Sequence, residues 1–154
     1  MRERTFRNEV RVLQKPENLF EFFADARNLN RITPDWLNFR IINPDIKLQK
    51  GSKIVYKLTW RGLPLKWVSE ITDWNPPHSF IDKQIQGPYK TWIHTHNFAR
   101  ENDVTRIIDE VQYSVPGSFL EPLIHKFFVG PDVHRIFQFR TRKILEIFEA
   151  VKSP

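Results

Sequence analysis

From Arg4 to Leu13 the chain alternates. Phe6, Asn8, Val10 and Val12 fall on one side, and Thr5, Arg7, Glu9 and Arg11 on the other. A two-residue period marks a strand with one buried face. Pro16 then opens a helical stretch, because its missing N–H is no loss in a first turn. Leu19, Phe20 and Phe23 follow at helical spacing. A second short helical piece is predicted from Asn28 to Ile32, ending before Thr33-Pro34, since a residue ahead of proline is pushed out of the α region. The next strands are predicted near 38–43, 52–61, 64–74, 79–86, 90–100 and 104–114. Turn sequences separate them: Asn43-Pro44-Asp45, Arg61-Gly62-Leu63-Pro64, Asn75-Pro76-Pro77, Gln86-Gly87-Pro88 and Glu101-Asn102-Asp103. Ile54, Tyr56, Leu58 and Trp60 share one face of their strand; Trp92, His94, His96 and Phe98 share one face of theirs.

After Pro116-Gly117 the period changes. Leu120, Leu123, Ile124, Phe127 and Phe128 read as helix, and Gly130-Pro131 is expected to interrupt it. Val133, Ile136, Phe137, Ile144, Ile147, Phe148 and Val151 then recur mostly at three and four, an amphipathic helix of about five turns. Arg135, Arg142, Lys143, Glu146 and Glu149 occupy its other face. The order is strand, two short helices, six strands, long helix. Short turns between consecutive strands make an antiparallel meander. A sheet with one apolar face needs a cover, and the terminal helix is the element long enough to supply it. The expected class is therefore α+β: a seven-stranded curved sheet gripping a C-terminal helix, with space left where the helix does not fill it. No repeat, low-complexity segment or linker breaks the chain, so one domain over 1–154 is expected.

Composition adds one feature. Thirteen Phe, five Trp and three Tyr in 154 residues supply large flat apolar surface, which fits an aromatic core and a ring-lined cavity equally. There is no cysteine, which removes disulfides and thiolate chemistry and fits a reducing compartment. The first residues show no signal peptide, and no stretch is long and apolar enough to span a bilayer; a cytoplasmic location without stable membrane insertion is expected. The net charge is +6. Cations gather loosely on the first strand (Arg2, Arg4, Arg7, Arg11) and the last helix (Arg135, Arg140, Arg142, Lys143), without a polybasic run. A solvated surface accounts for them better than a nucleic-acid face.

Several segments resemble one superfamily. They are Asn28-Leu29 with Ile32-Thr33-Pro34 and Trp36-Leu37, Arg61-Gly62-Leu63-Pro64 with Trp67, and Pro76-Pro77. The longest run is Phe80, Asp82, Gln84, Gly87-Pro88-Tyr89, Trp92, His94, His96 and Phe98, followed by Asp109, Val111 and Tyr113. With the order of elements, these resemble the START-like, or SRPBCC, superfamily, and within it a bacterial cyclase/dehydrase-like group. The resemblance covers nearly the whole chain. It implies the helix-grip fold; it does not imply one function, because that scaffold hosts carriers, cyclases, dehydratases and co-chaperones.

The chemistry gathers on His94-Thr95-His96. Residues two apart on a strand point the same way, so both imidazoles lie with Trp92 and Phe98. A hairpin closed by Glu101 and Val104 sets Phe98 opposite Ile107, His96 opposite Asp109, His94 opposite Val111 and Trp92 opposite Tyr113. A His96–Asp109 pair follows, in which the carboxylate orients the imidazole and raises its pKa. Three readings stand: two buried polar groups satisfying each other, a ligand-binding or acid–base site, and a metal site of two His and a carboxylate, for which no further ligand announces itself. Asp82 and Gln84 share a face of the preceding strand, and the resemblance places that face inward. Tyr56, Trp67, Trp92 and Tyr113 are rings for a flat ligand or plain core. Glu70 has the opposite parity to Trp67 and belongs outside. There is no phosphate-binding glycine loop, nucleophile elbow or HExxH helix, and no cofactor is expected.

The leading expectation is binding of a small hydrophobic or aromatic ligand (lipid, polyketide or isoprenoid-like) between sheet and helix. Its ligand-binding residues would be His94, Trp92, Asp82, Gln84, Tyr56, Trp67 and Tyr113. The alternative is a cofactor-free cyclase or dehydratase with His96 and Asp109 as acid and base. A third possibility is a basic nucleic-acid or membrane module, whose binding would fall steeply with salt.

Overall fold

The structure is a computed structural model that describes residues 2–149. Its strands are β1 (Arg4–Val12), β2 (Arg40–Ile41), β3 (Lys53–Trp60), β4 (Leu63–Asn75), β5 (Ser79–Gln86), β6 (Thr91–Glu101) and β7 (Val104–Ser114). Its helices are α1 (Pro16–Ala24), α2 (Glu121–Ile124) and α3 (Gly130–Glu149). The strands form one antiparallel seven-stranded sheet in the order β1-β7-β6-β5-β4-β3-β2. Neighbours from β2 to β7 are sequential hairpins, and β1 closes on the far side of β7. The expected β6–β7 register holds throughout: Phe98 faces Ile107, His96 faces Asp109, His94 faces Val111 and Trp92 faces Tyr113.

Three local differences have physical causes. The predicted strand at 38–43 shrinks to Arg40–Ile41. Asn38 turns the chain in the left-handed region at φ 46°. Asn43 then replaces the ladder with its side chain, accepting from the Val55 N–H at 2.9 Å and donating to the Lys53 carbonyl at 2.8 Å. The second helical piece spans Ala26–Ile32 as a 3-10 helix, capped by Asp25, whose carboxylate accepts from the Arg27 N–H at 3.0 Å. In β4 two irregularities interrupt the pairing with β5, between Val68 and Ser69 and between Ile71 and Asp73. Bulges of this kind bend a strand, and Trp67, Val68 and Ser69 are all buried in succession. Glu70 keeps its outside place, in a row with Lys53 and Lys83.

Gly130-Pro131 does not stop the C-terminal helix. The helical path runs from α2 through a π-helical turn at His125–Val129 straight into α3. A π turn carries one residue more than an α turn. Inward positions therefore step by five, from Ile124 to Val129, before resuming at Val133, Phe137, Arg140, Ile144 and Phe148. Phe128, four after Ile124, is turned outward instead. Val151 lies outside the described residues.

Two apolar clusters hold the sheet to α3. One, beneath α1, joins Leu19, Phe20, Phe23, Phe80, Phe98, Ile107, Ile144 and Phe148. The other joins Val111, Tyr113, Val115, Val129, Val133 and Phe137. Each fully buried Phe or Leu contributes on the order of 1.5–3 kcal/mol. The buried polar groups described next lie between the two.

Candidate functional site

His94 and His96 on β6, Asp109 on β7 and Asp82 on β5 meet on the concave side of the sheet. The register sets Asp82 opposite His94 and His96 opposite Asp109, but the shortest bonds run diagonally. His94 Nε2 lies 2.7 Å from Asp109 Oδ1, and His96 Nε2 lies 2.6 Å from Asp82 Oδ2. The expected His96–Asp109 contact is present as a second one, from Nδ1 at 3.3 Å. Asp109 thus serves both imidazoles and takes its tightest partner one row away. The rings stack on each other with centroids 3.7 Å apart, and Phe80 stacks on the other side of His96 at 4.0 Å.

The cluster contains a cation, Arg140, that the charge pattern along the last helix assigns to the solvated surface. Arg140 extends from α3 to 3.6 Å from Asp109 and 3.5 Å from His96 Nδ1. It is 8% exposed, and its guanidinium lies over the rings of Phe23 and Phe137 at 5.2 and 5.9 Å. The signal was available: Arg140 falls three after Phe137 and four before Ile144, on the apolar stripe. The basic group on the first strand is likewise not a uniform face, because Arg4 is tied to Glu121.

Burial would raise Asp109, but the Arg140 charge and the bonds from His94 and His96 overcome it and hold its carboxyl well below the ordinary range. Asp82 follows the same logic: burial raises it, while the bond from His96 and the surrounding cations bring it below its ordinary value. The histidines move apart. Burial and the neighbouring His96 push His94 down, against the bond to Asp109. Burial also acts downward on His96, yet its bonds to Asp109 and Asp82 raise it. Hydrogen bonding fits this split. His96 donates from Nε2 to Asp82, and its Nδ1 sits between Asp109 Oδ1 at 3.3 Å and the Arg140 guanidinium at 3.5 Å. His94 donates from Nε2 to Asp109, and its Nδ1 stays beyond hydrogen-bond reach of Asp82 Oδ2 at 3.7 Å.

A cavity of about 180 Å³ opens against this cluster. Asp82, His94, His96 and Arg140 form its polar wall; Tyr56, Trp67, Trp92, Ile54 and Phe137 are among its apolar ones. A second chamber of about 200 Å³ lies toward α2, bounded by Trp60, Leu65, Pro88, Val115 and Ile124. Leu37, Leu58, Trp67, Tyr89 and Ile136 line both. Trp67 is fixed by donating from Nε1 to the Ser69 hydroxyl at 2.9 Å. Tyr56 stacks on Trp67 at 5.7 Å, and burial, with the Asp82 charge, pushes its hydroxyl well above the ordinary value. Ser69, unremarked in the sequence, lines the cavity as well.

Six of the nine residues singled out from the sequence therefore meet at this cavity: Asp82, His94, His96, Trp92, Tyr56 and Trp67. Asp109 lies behind the histidines with no exposed surface. Gln84 is not in the wall; its side chain folds back on its own turn, donating to the Tyr89 carbonyl at 2.8 Å and accepting from the Tyr89 N–H at 3.2 Å. Tyr113 belongs to the cluster under α2, where its hydroxyl meets His125 Nε2 at 2.7 Å. Asp82, His94 and His96 each place one donor atom within 4.8 Å of the others, the donor set of a two-His, one-carboxylate centre. Their present geometry is a poor fit. Imidazoles bind metals in the ring plane, these two are stacked face to face, and the Arg140 charge opposes a cation.

Residues 12–139 match the family described as polyketide cyclase / dehydrase and lipid transport, and the chain belongs to it. A comparison with curated proteins finds no match. Among solved structures, the chain is similar in fold to the Zhui aromatase/cyclase from a Streptomyces species, with TM-score 0.73 and 16% identity, covering 96% of this chain and 94% of that one. It is similar to ginseng major latex-like protein 151 from Panax ginseng, with TM-score 0.70 and 12% identity over 95% and 97% of the two chains. Protein Ms6760 from Mycobacterium smegmatis gives TM-score 0.70 and 18% identity over 96% and 92%. These likenesses establish the helix-grip fold. Among the described residues, no helix is long and apolar enough to cross a membrane.

Proposed function

We propose that the protein binds a small, largely apolar molecule carrying one polar group, lipid-, polyketide- or isoprenoid-like, in the space between sheet and α3. The observation that carries this reading is the asymmetry of the cavity. Its walls are rings and aliphatic side chains, and its polar groups converge on one side, the usual design of a small-molecule pocket. The polar end of the ligand meets Asp82, the free Nδ1 of His94 and the Arg140 guanidinium. Either chamber alone is below the roughly 300 Å³ at which such pockets begin. Movement of Tyr89 or Ile136, which line both chambers, would join them into one site of sufficient size. The family description, which includes lipid transport, supports the same class of ligand.

Native mass spectrometry of the purified protein, with a denaturing run to identify what is released, tests this directly. A co-purifying apolar molecule is the expected result. Titration with 1-anilinonaphthalene-8-sulfonate supplies a defined probe. Its fluorescence should rise with the wild type and fall back with Leu58→Trp, which fills space common to both chambers. No bound mass and no difference between wild type and variant would overturn the proposal.

A second reading, cyclase- or dehydratase-like chemistry, is favoured by one observation: a cavity-lining imidazole, His94, whose Nδ1 makes no hydrogen bond and lies 3.7 Å from the cavity-lining carboxylate of Asp82. His94 then takes a substrate proton at Nδ1, with Asp109 orienting its ring. His96, bonded through Nε2 to Asp82 at 2.6 Å, positions that carboxylate. This reassigns the base expected from the sequence, His96, to its neighbour. His94→Asn should abolish turnover of a polyketide-like substrate by about 10²-fold or more while leaving binding within a fewfold; equal loss of both would point to a purely binding role.

A further inference from the structure

The end of the molecule beyond the second chamber is apolar on the outside. Phe119 is 84% exposed, Phe127 59%, Leu123 55% and Leu63 56%. The first three lie in the segment from Ser118 through the π turn; Leu63 lies at the β3–β4 turn beside it, where Arg61 covers the ring of Phe128 at 5.0 Å. Monomeric proteins rarely gather so many large apolar side chains on one outer surface without a partner. The π turn is what brings Phe127 and Phe128 out, since it shifts the helix phase between Ile124 and Val129.

Charge around this tip is one-sided. The acids built into it are neutralised: Glu121 by Arg4, and Asp132 by Arg61 and the Trp60 indole. Lys126 is exposed beside Phe127. On the outer face of the sheet, Arg40, Lys57 and Lys66 stand side by side across β2, β3 and β4. Three like charges directly abreast are unfavourable in an isolated sheet. Lys57 is three residues from the end of β3, about 10 Å behind the tip at the rise of a strand.

We infer that this end docks reversibly on an anionic lipid bilayer, with Phe119, Leu123, Phe127 and Leu63 entering the interface and Lys57, Lys66, Arg40 and Lys126 meeting the headgroups. An apolar surface sunk about 5–10 Å into the headgroup boundary brings the basic row level with the membrane surface. The second chamber then lies directly behind the contact. This docking stands on surface residues alone and does not depend on what the cavity binds.

The test is flotation with vesicles of phosphatidylcholine alone and of phosphatidylcholine with phosphatidylglycerol. The wild type should float with the anionic vesicles, less with the neutral ones, and less in high salt. Phe119→Ser with Phe127→Ser should abolish flotation. Lys57→Gln and Lys66→Gln should each weaken binding to anionic vesicles about fivefold, with unchanged 1-anilinonaphthalene-8-sulfonate binding. Phe127→Trp should show added blue-shifted emission on anionic vesicles. Wild type that stays unbound in both, or floats without a shift at Phe127→Trp, overturns the proposal. So does a concentration-dependent dimer that the double Phe variant dissolves, which would give the surface to a second copy. Binding of RNA through Lys57 and Lys66 without flotation would also overturn it.

Discussion

The two ends of the helix-grip cavity use phenylalanine in opposite ways. Beneath α1, Phe20 meets Trp74, Phe80 and Phe98 at centroid distances from 4.8 to 5.7 Å, and Phe23 meets Phe98 at 5.4 Å. The Phe20 contacts are edge to face and the Phe23–Phe98 contact is tilted, and together these rings close that end. Around α2, Phe119, Phe127 and Phe128 face outward, and the interior behind them is a chamber rather than a filled core. Residue type is the same at both ends; what differs is whether a second layer covers it. A phenylalanine ring favours burial wherever it sits, but only a covering element satisfies that preference, so the closed end is where stability resides and the open end is where a ligand or a surface can be met.

The sharpest way to break the comparison is a pair of truncations. Phe20→Ala should cost about 3–5 kcal/mol in chemical denaturation, because it removes a buried ring from a packed cluster. Phe127→Ala at the open end should stay within about 0.5 kcal/mol. Equal costs would mean that the open end is packed in solution.

Between the two ends the polar cluster should respond nearly as strongly. Arg140→Met keeps most of the volume but leaves Asp109 buried without its cation; a loss of about 3 kcal/mol is expected from urea titration, from the cost of breaking a buried ion pair. A neutral result would show that Asp109 is satisfied by the histidines alone.

The histidines predict a pH effect of smaller size. His96 is raised in the folded state, so its contribution is fully present below the ordinary 6.5 and is lost as pH rises through the folded value. His94 is lowered, so its contribution is present above 6.5 and is lost as pH falls through its folded value. The two oppose each other near neutrality. In thermal melts between about pH 5 and 8, the range in which histidine titrates, His94→Asn should become less stable as pH rises. His96→Asn should become more stable over the same rise. Slopes of the same sign in both variants would refute the division of roles.

Much of the scaffold could be read without coordinates. Alternation in β6 and β7, together with the Glu101-Asn102-Asp103 turn, placed His94 and His96 on one face with Trp92 and Phe98 and opposite Val111 and Asp109, because register follows from turn position and a period of two; that this face is the concave one is decided by the tertiary structure. Asp82 was readable only to within one residue of slip, and only the resemblance turned it inward. Gln84 has the same parity as Asp82 yet leaves the cavity, because its amide can satisfy the Tyr89 backbone across a turn where the pairing of β5 with β6 has ended. Parity reports which face a Cβ leaves, not where a long side chain ends.

What the sequence determined by itself is therefore local: periods, turns, the order of elements, and the neighbours that a hairpin register forces. The tertiary structure decided the rest. It drew Arg140 from a helix 31 residues beyond Asp109 onto that carboxylate, exchanged the partners of the two imidazoles diagonally, and inserted a π turn ahead of Gly130-Pro131 that sends Phe127 and Phe128 outward. Each of these depends on distances between elements far apart in the chain, where ion pairing, burial and helix phase act on atoms that no sequence period relates.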